Sequence, residues 1–271
     1  MIHYQYVPIM DNKPFKAVTG SFLALMVAFI VAIVVVLVGE TSPGALVTNI
    51  TSDEIVFAIR LSLITATVST IMCMVVAIPT GYALARTDFP GKSLVDTIVN
   101  LPLALPPLVA GVGLLLFFGK TPVGHALESV GLKFVFTPLG IVMAQFLINV
   151  PFAIRIMRST FDGINPRYEH VAKTLGYTQS QAFWKVTLPL SKNGLFASAA
   201  ISWAKGMGEF GAVLMLAGAT RMKTETLPIA VFLNMSSGEL ELAIAAATIL
   251  IVVAFGALYV LETYGSGARV Y

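Results

Sequence analysis

Charged residues are scarce in this chain of 271 residues, making up 11% of it, whereas 57% of the residues are hydrophobic. Soluble domains carry about 25% charged residues, so this composition excludes a soluble globular protein. Cysteine occurs once, as Cys73 inside an apolar run, and this excludes a disulfide framework. Cys73 is expected to pack as a small hydrophobic residue in a helix.

The chain also lacks a phosphate-binding loop of the form G-x-x-x-x-G-K-[ST]. The two nearest matches are Gly119-Lys120-Thr121 and Gly91-Lys92-Ser93, but Leu114 and Arg86 stand where the first glycine is required. We therefore predict that this chain does not bind ATP by itself.

Metal-binding and catalytic clusters are not visible either. The three histidines, His3, His125 and His170, have no cysteine or carboxylate at ligand spacing, and no nucleophile stands beside a base. We predict no metal site, no bound cofactor and no catalytic residue. A membrane-embedded enzyme remains a rival hypothesis that this absence disfavours.

Long apolar stretches are what the chain has in their place. Each is about as long as a helix that spans roughly 30 Å of hydrocarbon. There are six of them: Ala17–Gly39, Leu61–Ala85, Thr97–Gly119, Phe134–Ile154, Asn193–Gly218 and Leu242–Leu261. The sequence therefore predicts an all-α polytopic protein, a single transmembrane domain over residues 1–271.

The distribution of basic residues predicts the orientation. With the N-terminus in the cytoplasm, eleven Lys and Arg residues fall in inside regions and four in outside loops. Basic residues concentrate on the cytoplasmic side of membrane proteins. We predict a multi-pass protein of the cell membrane with both termini in the cytoplasm.

A polar segment, residues 167–192, interrupts the apolar pattern on the predicted cytoplasmic side. It predicts a helix over Tyr168–Leu175 that ends at Gly176, then a second short helix over Ser180–Val186 closed by Leu188-Pro189. Its aromatic residues Tyr168, Phe183 and Trp184 could fill a groove of a partner protein or lie among lipid head groups.

The spacing within this segment resembles the EAA loop, A-x-x-x-G-x9-[IV]-x-L-P, of membrane subunits of binding-protein-dependent ABC importers. The triplet falls on His170, Val171 and Ala172, and the remaining positions are Gly176, Val186, Leu188 and Pro189. His170 replaces the usual acidic residue and Val171 the first alanine, while Glu169 lies one residue earlier. The resemblance implies that this segment is a coupling helix that inserts into an ATPase subunit.

Two further stretches are similar to molybdate-type permeases and their sulfate relatives, namely Gly81–Gly119 and Trp203–Gly218 with the KTETLPIAVF that follows. The GEFGA, LAG and TLPIA of the second stretch look more like the molybdate/tungstate permease than the sulfate subunits. This resemblance implies the MetI-like transmembrane domain of a type I ABC importer, with six helices, working as a homodimer. The implied partners are two cytoplasmic ATPase subunits, which bind ATP-Mg, and an extracytoplasmic binding protein that delivers molybdate or tungstate. Membrane lipid surrounds it, and nucleic acid is not an expected partner.

Other classes of transporter remain open as alternatives. One is a permease for sulfate or another oxyanion. The other is an ion-driven secondary carrier, which is expected to show inverted repeats with helices broken at matching positions, and no such symmetry is visible.

Two features inside the predicted spans are candidates for the translocation pathway. The third span contains Pro106 and Pro107, which break a helix and suggest a cavity lining or a merely kinked helix. In the fifth span, Lys205 and Glu209 are four residues apart and predicted to share a helix face. Lys205 would lie along the anion route, or the two would form an ion pair that only positions the helix.

Overall fold

A computed structural model of the chain describes residues 13–40 and 43–265. Helices form from the apolar stretches predicted above, and the described residues contain no β-strand. The predicted location of the two termini concerns residues 1–12 and 266–271, which lie outside the described residues.

Fourteen α-helices and one five-residue π-helix make up this part of the chain. They are α1 (Lys13–Gly39), α2 (Pro43–Ile50), α3 (Asp53–Arg86), α4 (Lys92–Ala104), α5 (Pro107–Lys120), α6 (Pro122–Ser129), α7 (Pro138–Asp162), α8 (Arg167–Thr174), α9 (Gln179–Ala182), the π-helix (Phe183–Thr187), α10 (Leu188–Leu190), α11 (Lys192–Met207), α12 (Gly211–Ala217), α13 (Leu227–Ser237) and α14 (Leu240–Gly265).

The predicted count of six spans is not confirmed. Four described helices are long and apolar enough to cross a membrane, namely α1, α3, α7 and α14, over Phe15–Gly39, Asp53–Arg86, Pro138–Asp162 and Leu240–Ala257. A fifth span is possible if α4 and α5 are counted together, although they meet at an angle of 109°. The break that Pro106 and Pro107 predicted in the third span is confirmed, because neither proline can donate the hydrogen bonds that would continue α4, which ends at Ala104.

The predicted fifth span, Asn193–Gly218, is also divided. α11 ends at Met207, and α12 begins only at Gly211. The two glycines, Gly208 and Gly211, flank this break, and glycine costs a helix about 1 kcal/mol relative to alanine. Length and hydropathy alone did not distinguish a broken span from a continuous one.

The core of the molecule is the pair α3 and α7, with α11 packed against both. The two long helices approach closely at Gly81, where an added Cβ would lie 2.9 Å from the Cβ of Met157. One apolar cluster joins α5, α7 and α12 around Leu216, and a second joins α3, α13 and α14 around Leu227. α1 packs against α14 at the edge.

The connections between the long helices also contain short helices. The connection between α1 and α3 contains α2. The short helix α13 has its Leu227 and Ile229 side chains fully buried. A polar cluster fixes this helix to α3, because Arg221 bonds both Glu54 and Asn234, and Asn234 also donates to Glu54 at 3.0 Å.

We expect Gly111→Ala to destabilise the packing of α5 on α12, because a Cβ at Gly111 would lie 2.8 Å from both Ala212 Cα and Met215 Cβ. Overpacking of this kind costs about 1–3 kcal/mol. The matched control is Gly113→Ala on the same helix, where a Cβ would meet no atom within 4 Å. Thermal unfolding of the two purified variants in one detergent tests this, and equal midpoints would contradict the packing described here.

Candidate functional site

The predicted polar segment 167–192 folds as a set of short helices. α8 ends in the left-handed turn expected at Gly176, whose φ is +90°. Tyr177 N–H donates to Ala172 O at 3.1 Å and Gly176 N–H to Lys173 O at 3.0 Å. These two bonds form a Schellman motif, which satisfies carbonyl groups at the end of the helix. The predicted first helix and its end at Gly176 are confirmed.

The second half of the segment differs from prediction. α9 begins with a capping box between Thr178 and Gln181, as its polar sequence favours. The chain then widens into the π-helix and continues through α10, so Pro189 does not close the helix as predicted. Leu188 N–H reaches back to Phe183 O, and Pro189 falls in the first turn of the next helical segment. Proline is tolerated there, because first-turn N–H groups have no helical partner.

Glu169 is the centre of the hydrogen-bonding network in this segment, although only 4% of it is exposed. Its Oε1 accepts from Arg86 Nε at 3.0 Å and from Thr187 Oγ1 at 2.8 Å. Its Oε2 accepts from Tyr82 OH at 2.8 Å and from Gln179 Nε2 at 3.2 Å. One carboxylate therefore connects α8 to the end of α3, to α9 and to the π-helix.

The charge of Glu169 is stabilised at this site. Burial by itself raises the pKa of Glu169, but the hydrogen bonds from Tyr82, Arg86 and Thr187, and the positive charge of Arg86, outweigh it, so the pKa is lowered. Glu169 is therefore ionised at neutral pH. Arg86 also donates to Ile164 O at 2.7 Å, which fixes the end of α7 to the same network.

The exposed side of the segment is apolar. Tyr168, Val171 and Leu175 follow the i, i+3, i+7 spacing of one helix face, and all three are exposed, Leu175 by 75%. Trp184 is 63% exposed. Phe183, grouped with these aromatic residues in the prediction, instead packs inward, with its ring centroid 4.7 Å from that of Tyr82. We call the four exposed residues Tyr168, Val171, Leu175 and Trp184 the apolar face of the segment.

The remaining motif positions divide between the inside and the outside of this unit. Ala172 is buried and His170 is exposed, while Val186 and Leu188 are half-buried and Pro189 is exposed. The buried alanine lets α8 lie close to its neighbours, and the exposed residues are free to contact a partner.

The two broken spans meet at their breaks. A Cβ at Gly211 would lie 3.1 Å from Pro107 Cβ, so the start of α12 lies against the start of α5. Pro106, Pro107 and Gly208 are exposed. Irregular backbone at membrane depth is tolerated only where it is covered by protein or lines an aqueous cavity.

Lys205 and Glu209 do not share a helix face, and that prediction was wrong. α11 ends between them, at Met207. The exposed Lys205 places its Nζ 4.1 Å from the ring centroid of Phe152, while Glu209 is buried and accepts from Ala212 N–H at 3.0 Å. Within the described chain the two residues form no ion pair, because Glu209 binds the first turn of α12.

Sequence reasoning missed the residues that hold Glu169. Tyr82 and Arg86 lie at the end of the second predicted span, about 85 residues earlier in the chain, and only the packing of α3 beside α8 brings them together. It also missed Gln145 and Asn149 in the fourth span, which are buried between α3, α7 and α11. Two amides four residues apart in an apolar stretch were the available signal, because polar groups inside membranes tend to face the interior.

The family model of binding-protein-dependent transport system inner membrane components matches residues 77–263. This range contains α4, α5 and the whole polar segment. The chain belongs to this family, the permease subunits of ABC importers, and is accordingly a multi-pass membrane protein.

Individual relatives cover most of the chain. It is 35% identical over 230 residues to the probable molybdenum ABC transporter permease protein of Haloferax volcanii, covering 85% of this chain and 83% of the relative. It is 34% identical over 224 residues to the sulfate transport system permease protein CysT of Escherichia coli, covering 82% and 81%. The two identities are so close that they do not separate molybdate from sulfate permeases.

A solved structure supports the fold. The structure of a bacterial alginate ABC transporter, in complex with an alginate pentasaccharide-bound periplasmic protein, matches with a TM-score of 0.72 at 18% identity. The match covers 93% of this chain and 95% of that chain. The predicted fold class, the transmembrane domain of a type I ABC importer, is confirmed.

Proposed function

We propose that this chain is the permease of an ATP-driven importer for a tetrahedral oxyanion, molybdate or tungstate, delivered by an extracytoplasmic binding protein. The observation that carries the proposal is the polar segment 167–192, an apolar face held by the buried Glu169 network, in a chain similar to a molybdenum permease. A face of this kind favours a protein partner, because exposed apolar residues on a rigid unit are typical of binding hot spots.

In this proposal the partner of the segment is an ABC ATPase in the cytoplasm. Contact is made by the apolar face and by exposed motif residues such as His170 and Pro189, while Ala172 and Gly176 shape the helix end. The buried Glu169 holds the short helices of the segment together through its hydrogen bonds, and the half-buried Val186 and Leu188 lie in the stretch that leads to α11. ATP-Mg binds to the ATPase, and this chain binds no cofactor.

We further propose that two copies of the chain form the pathway, each as one permease domain over residues 1–271. The exposed breaks at Pro106-Pro107 and Gly208 support this arrangement, because a second copy or an aqueous path between copies would cover them. Lys205 is exposed beside these elements and is proposed to face the path, whereas Glu209 is proposed to fix α12. We propose that both termini lie in the cytoplasm, on the same side as the polar segment, because basic residues concentrate on that side.

The transport cycle then follows from two states biased by nucleotide. ATP binding draws the two ATPase subunits together, and the rigidly held segments transmit this movement to α3 and α7, the helices that the Glu169 network joins. The path opens toward the loaded binding protein, and hydrolysis returns it to the cytoplasmic side.

A sulfate permease is the second candidate, favoured by the similarity to CysT. Molybdate, tungstate and sulfate share tetrahedral geometry and double charge. The binding protein is expected to choose among them before the anion reaches this chain.

The test is uptake into vesicles that contain the chain with its ATPase and binding protein. We expect ATP-dependent accumulation of molybdate and tungstate, and sulfate at equal concentration should compete weakly. Uptake of sulfate alone would establish the second candidate. Uptake driven by an ion gradient with no ATPase present would contradict the proposal at the level of mechanism.

A further inference from the structure

A shallow, open cleft between α4 and α7, with polar and apolar lining residues, is not used by any motif discussed above. α4 is amphipathic, and Asp96, Thr97 and Asn100 lie on the side that meets α7. The cleft has a volume of about 350 Å³ and is also lined by Leu101, Ala104 and Arg155. A water molecule occupies about 30 Å³ in the liquid, so the cleft can hold a small anion with part of its hydration.

Of the two arginines that α7 places beside α4, only Arg158 has carboxylate partners within the described part of the chain. Arg158 is paired with Asp96 at 2.7 Å and lies 3.8 Å from Asp162. Arg155, one helical turn earlier, forms no ion pair among the described residues, and its guanidinium donates to Asn100 Oδ1 at 3.2 Å. Asn100 in turn donates to Asp96 O at 2.7 Å. Asp96 Oδ2 and Asp162 are thus directed to Arg158, whereas Asp96 Oδ1 accepts from Asn100 Nδ2 at 3.4 Å. Arg155 is the cation of the cleft that has no carboxylate partner among the described residues.

The chemistry of Arg155 suits an oxyanion. A guanidinium has five N–H donors in a fixed fork, of which the bond to Asn100 uses one. Such a fork matches two oxygens of a tetrahedral anion, and it stays charged under all physiological conditions. The bond to Asn100 holds the fork at the cleft without neutralising it.

One end of the cleft lies beside the break in the third span, which is proposed to line the pathway. Ala104 is the last residue of α4, next to the break at Pro106-Pro107. Arg155 lies seven residues before the end of α7, about 10 Å along the helix axis at 1.5 Å per residue. The cleft therefore runs from the broken third span toward the end of the molecule that carries α8.

We propose that Arg155 binds the transported oxyanion in the cleft between α4 and α7, as a contact on the release side of the pathway. This assignment rests on the proposed function, and it adds a specific residue and a specific ligand chemistry to it. The phosphate of a lipid head group has the same chemistry, so the experiment separates the two sources.

The test measures local electrostatics with thiol reagents in the assembled complex with the ATPase, in a maltoside detergent. Cys73 is buried, and replacing it with serine gives a chain free of cysteine, into which Leu101→Cys places one thiol at the cleft. The rates of reaction with an anionic and a cationic methanethiosulfonate of similar size are compared. We expect the ratio of the anionic to the cationic rate to fall about sixfold when Arg155→Gln is added. A unit charge about 8 Å away in water changes each rate about 2.4-fold, and the two rates change in opposite directions. Arg155→Lys should keep most of the ratio.

Protection by ligand identifies the source of the anion. Millimolar molybdate should slow the labelling of Leu101→Cys, and this protection should disappear with Arg155→Gln. The matched control is Lys92→Gln, at the start of α4, where Lys92 is paired with Asp88 at 2.9 Å; it should leave both the ratio and the protection unchanged. A ratio that does not depend on Arg155, or protection by added anionic lipid but not by molybdate, would overturn the assignment.

These results are separable from those of the uptake experiment. If molybdate is transported normally but the ratio of labelling rates does not change in Arg155→Gln, the proposed function stands and the Arg155 assignment fails. If sulfate protects through Arg155 but molybdate is neither protective nor transported, the oxyanion contact stands and the proposed substrate fails.

Discussion

Replacing Glu169 with alanine should abolish ATP-driven uptake while leaving the chain inserted in the membrane. The variant leaves the Arg86 guanidinium buried without its carboxylate and removes the acceptor of Tyr82, which separates α8 from the end of α3. Removing one partner of a buried ion pair costs about 3–5 kcal/mol. That is a large fraction of the 5–15 kcal/mol that stabilises a typical domain. We expect the loss of ordered structure to be confined to the segment 167–192, because α3, α7 and α11 pack together without this network.

The measurement combines uptake with proteolysis of the segment 167–192 in purified complexes. Glu169→Ala should be cleaved in this segment faster than the unchanged chain, and its ATP hydrolysis should no longer respond to the loaded binding protein. Lys173→Ala is the matched control on the same helix, because Lys173 is exposed, belongs neither to the apolar face nor to the motif positions, and should leave folding and uptake unchanged. Glu169→Gln keeps the size but not the charge and should give an intermediate effect. Normal uptake by Glu169→Ala would remove the network from the coupling mechanism.

Replacing Trp184 with alanine should weaken binding of the ATPase at least 30-fold without unfolding the chain. Trp184 belongs to the apolar face and is 63% exposed, so little packing within the chain is lost. A buried tryptophan anchor at an interface contributes about 2 kcal/mol or more, which corresponds to this factor. Leu175→Gln, at the other end of the face, should act in the same direction with a smaller effect.

The measurement is the dissociation constant of the purified permease for the ATPase. Phe89→Ala is the control, because Phe89 is also an exposed apolar residue but lies in the connection between α3 and α4. Unchanged affinity in Trp184→Ala and Leu175→Gln would mean that the apolar face lies in lipid head groups, the alternative that the sequence left open.

The sequence determined the local structure of the polar segment more reliably than the spans. A helix that ends at Gly176 follows from short-range chemistry, because glycine adopts a positive φ without a steric penalty. The path beyond Phe183 was not predictable in this way. The π-helix there contains Thr187, which donates a hydrogen bond to Glu169 of α8, 18 residues earlier in the chain.

For the membrane spans, the sequence predicted the approximate position of each apolar segment but not its shape. Hydropathy located the apolar segments, because crossing a bilayer requires about 20 apolar residues whatever their tertiary contacts. It did not reveal the 109° bend between α4 and α5 or the break before α12. Whether a proline or glycine bends a membrane helix depends on neighbours that cover the freed backbone groups, and these come from other parts of the chain.

The amino-acid composition was enough to predict an all-helical membrane protein, and the resemblance of residues 170–189 to the EAA loop was enough to predict the importer family. Which charged groups are partners depends instead on helix packing. Glu169 is bound by Arg86, which lies 83 residues earlier in the chain, Glu209 binds the backbone of α12 and not Lys205, and Arg158 pairs with Asp96 while Arg155 forms no ion pair among the described residues. An ion pair needs its two groups within a few ångströms of each other, and helix packing sets that distance, whereas spacing along the chain does not.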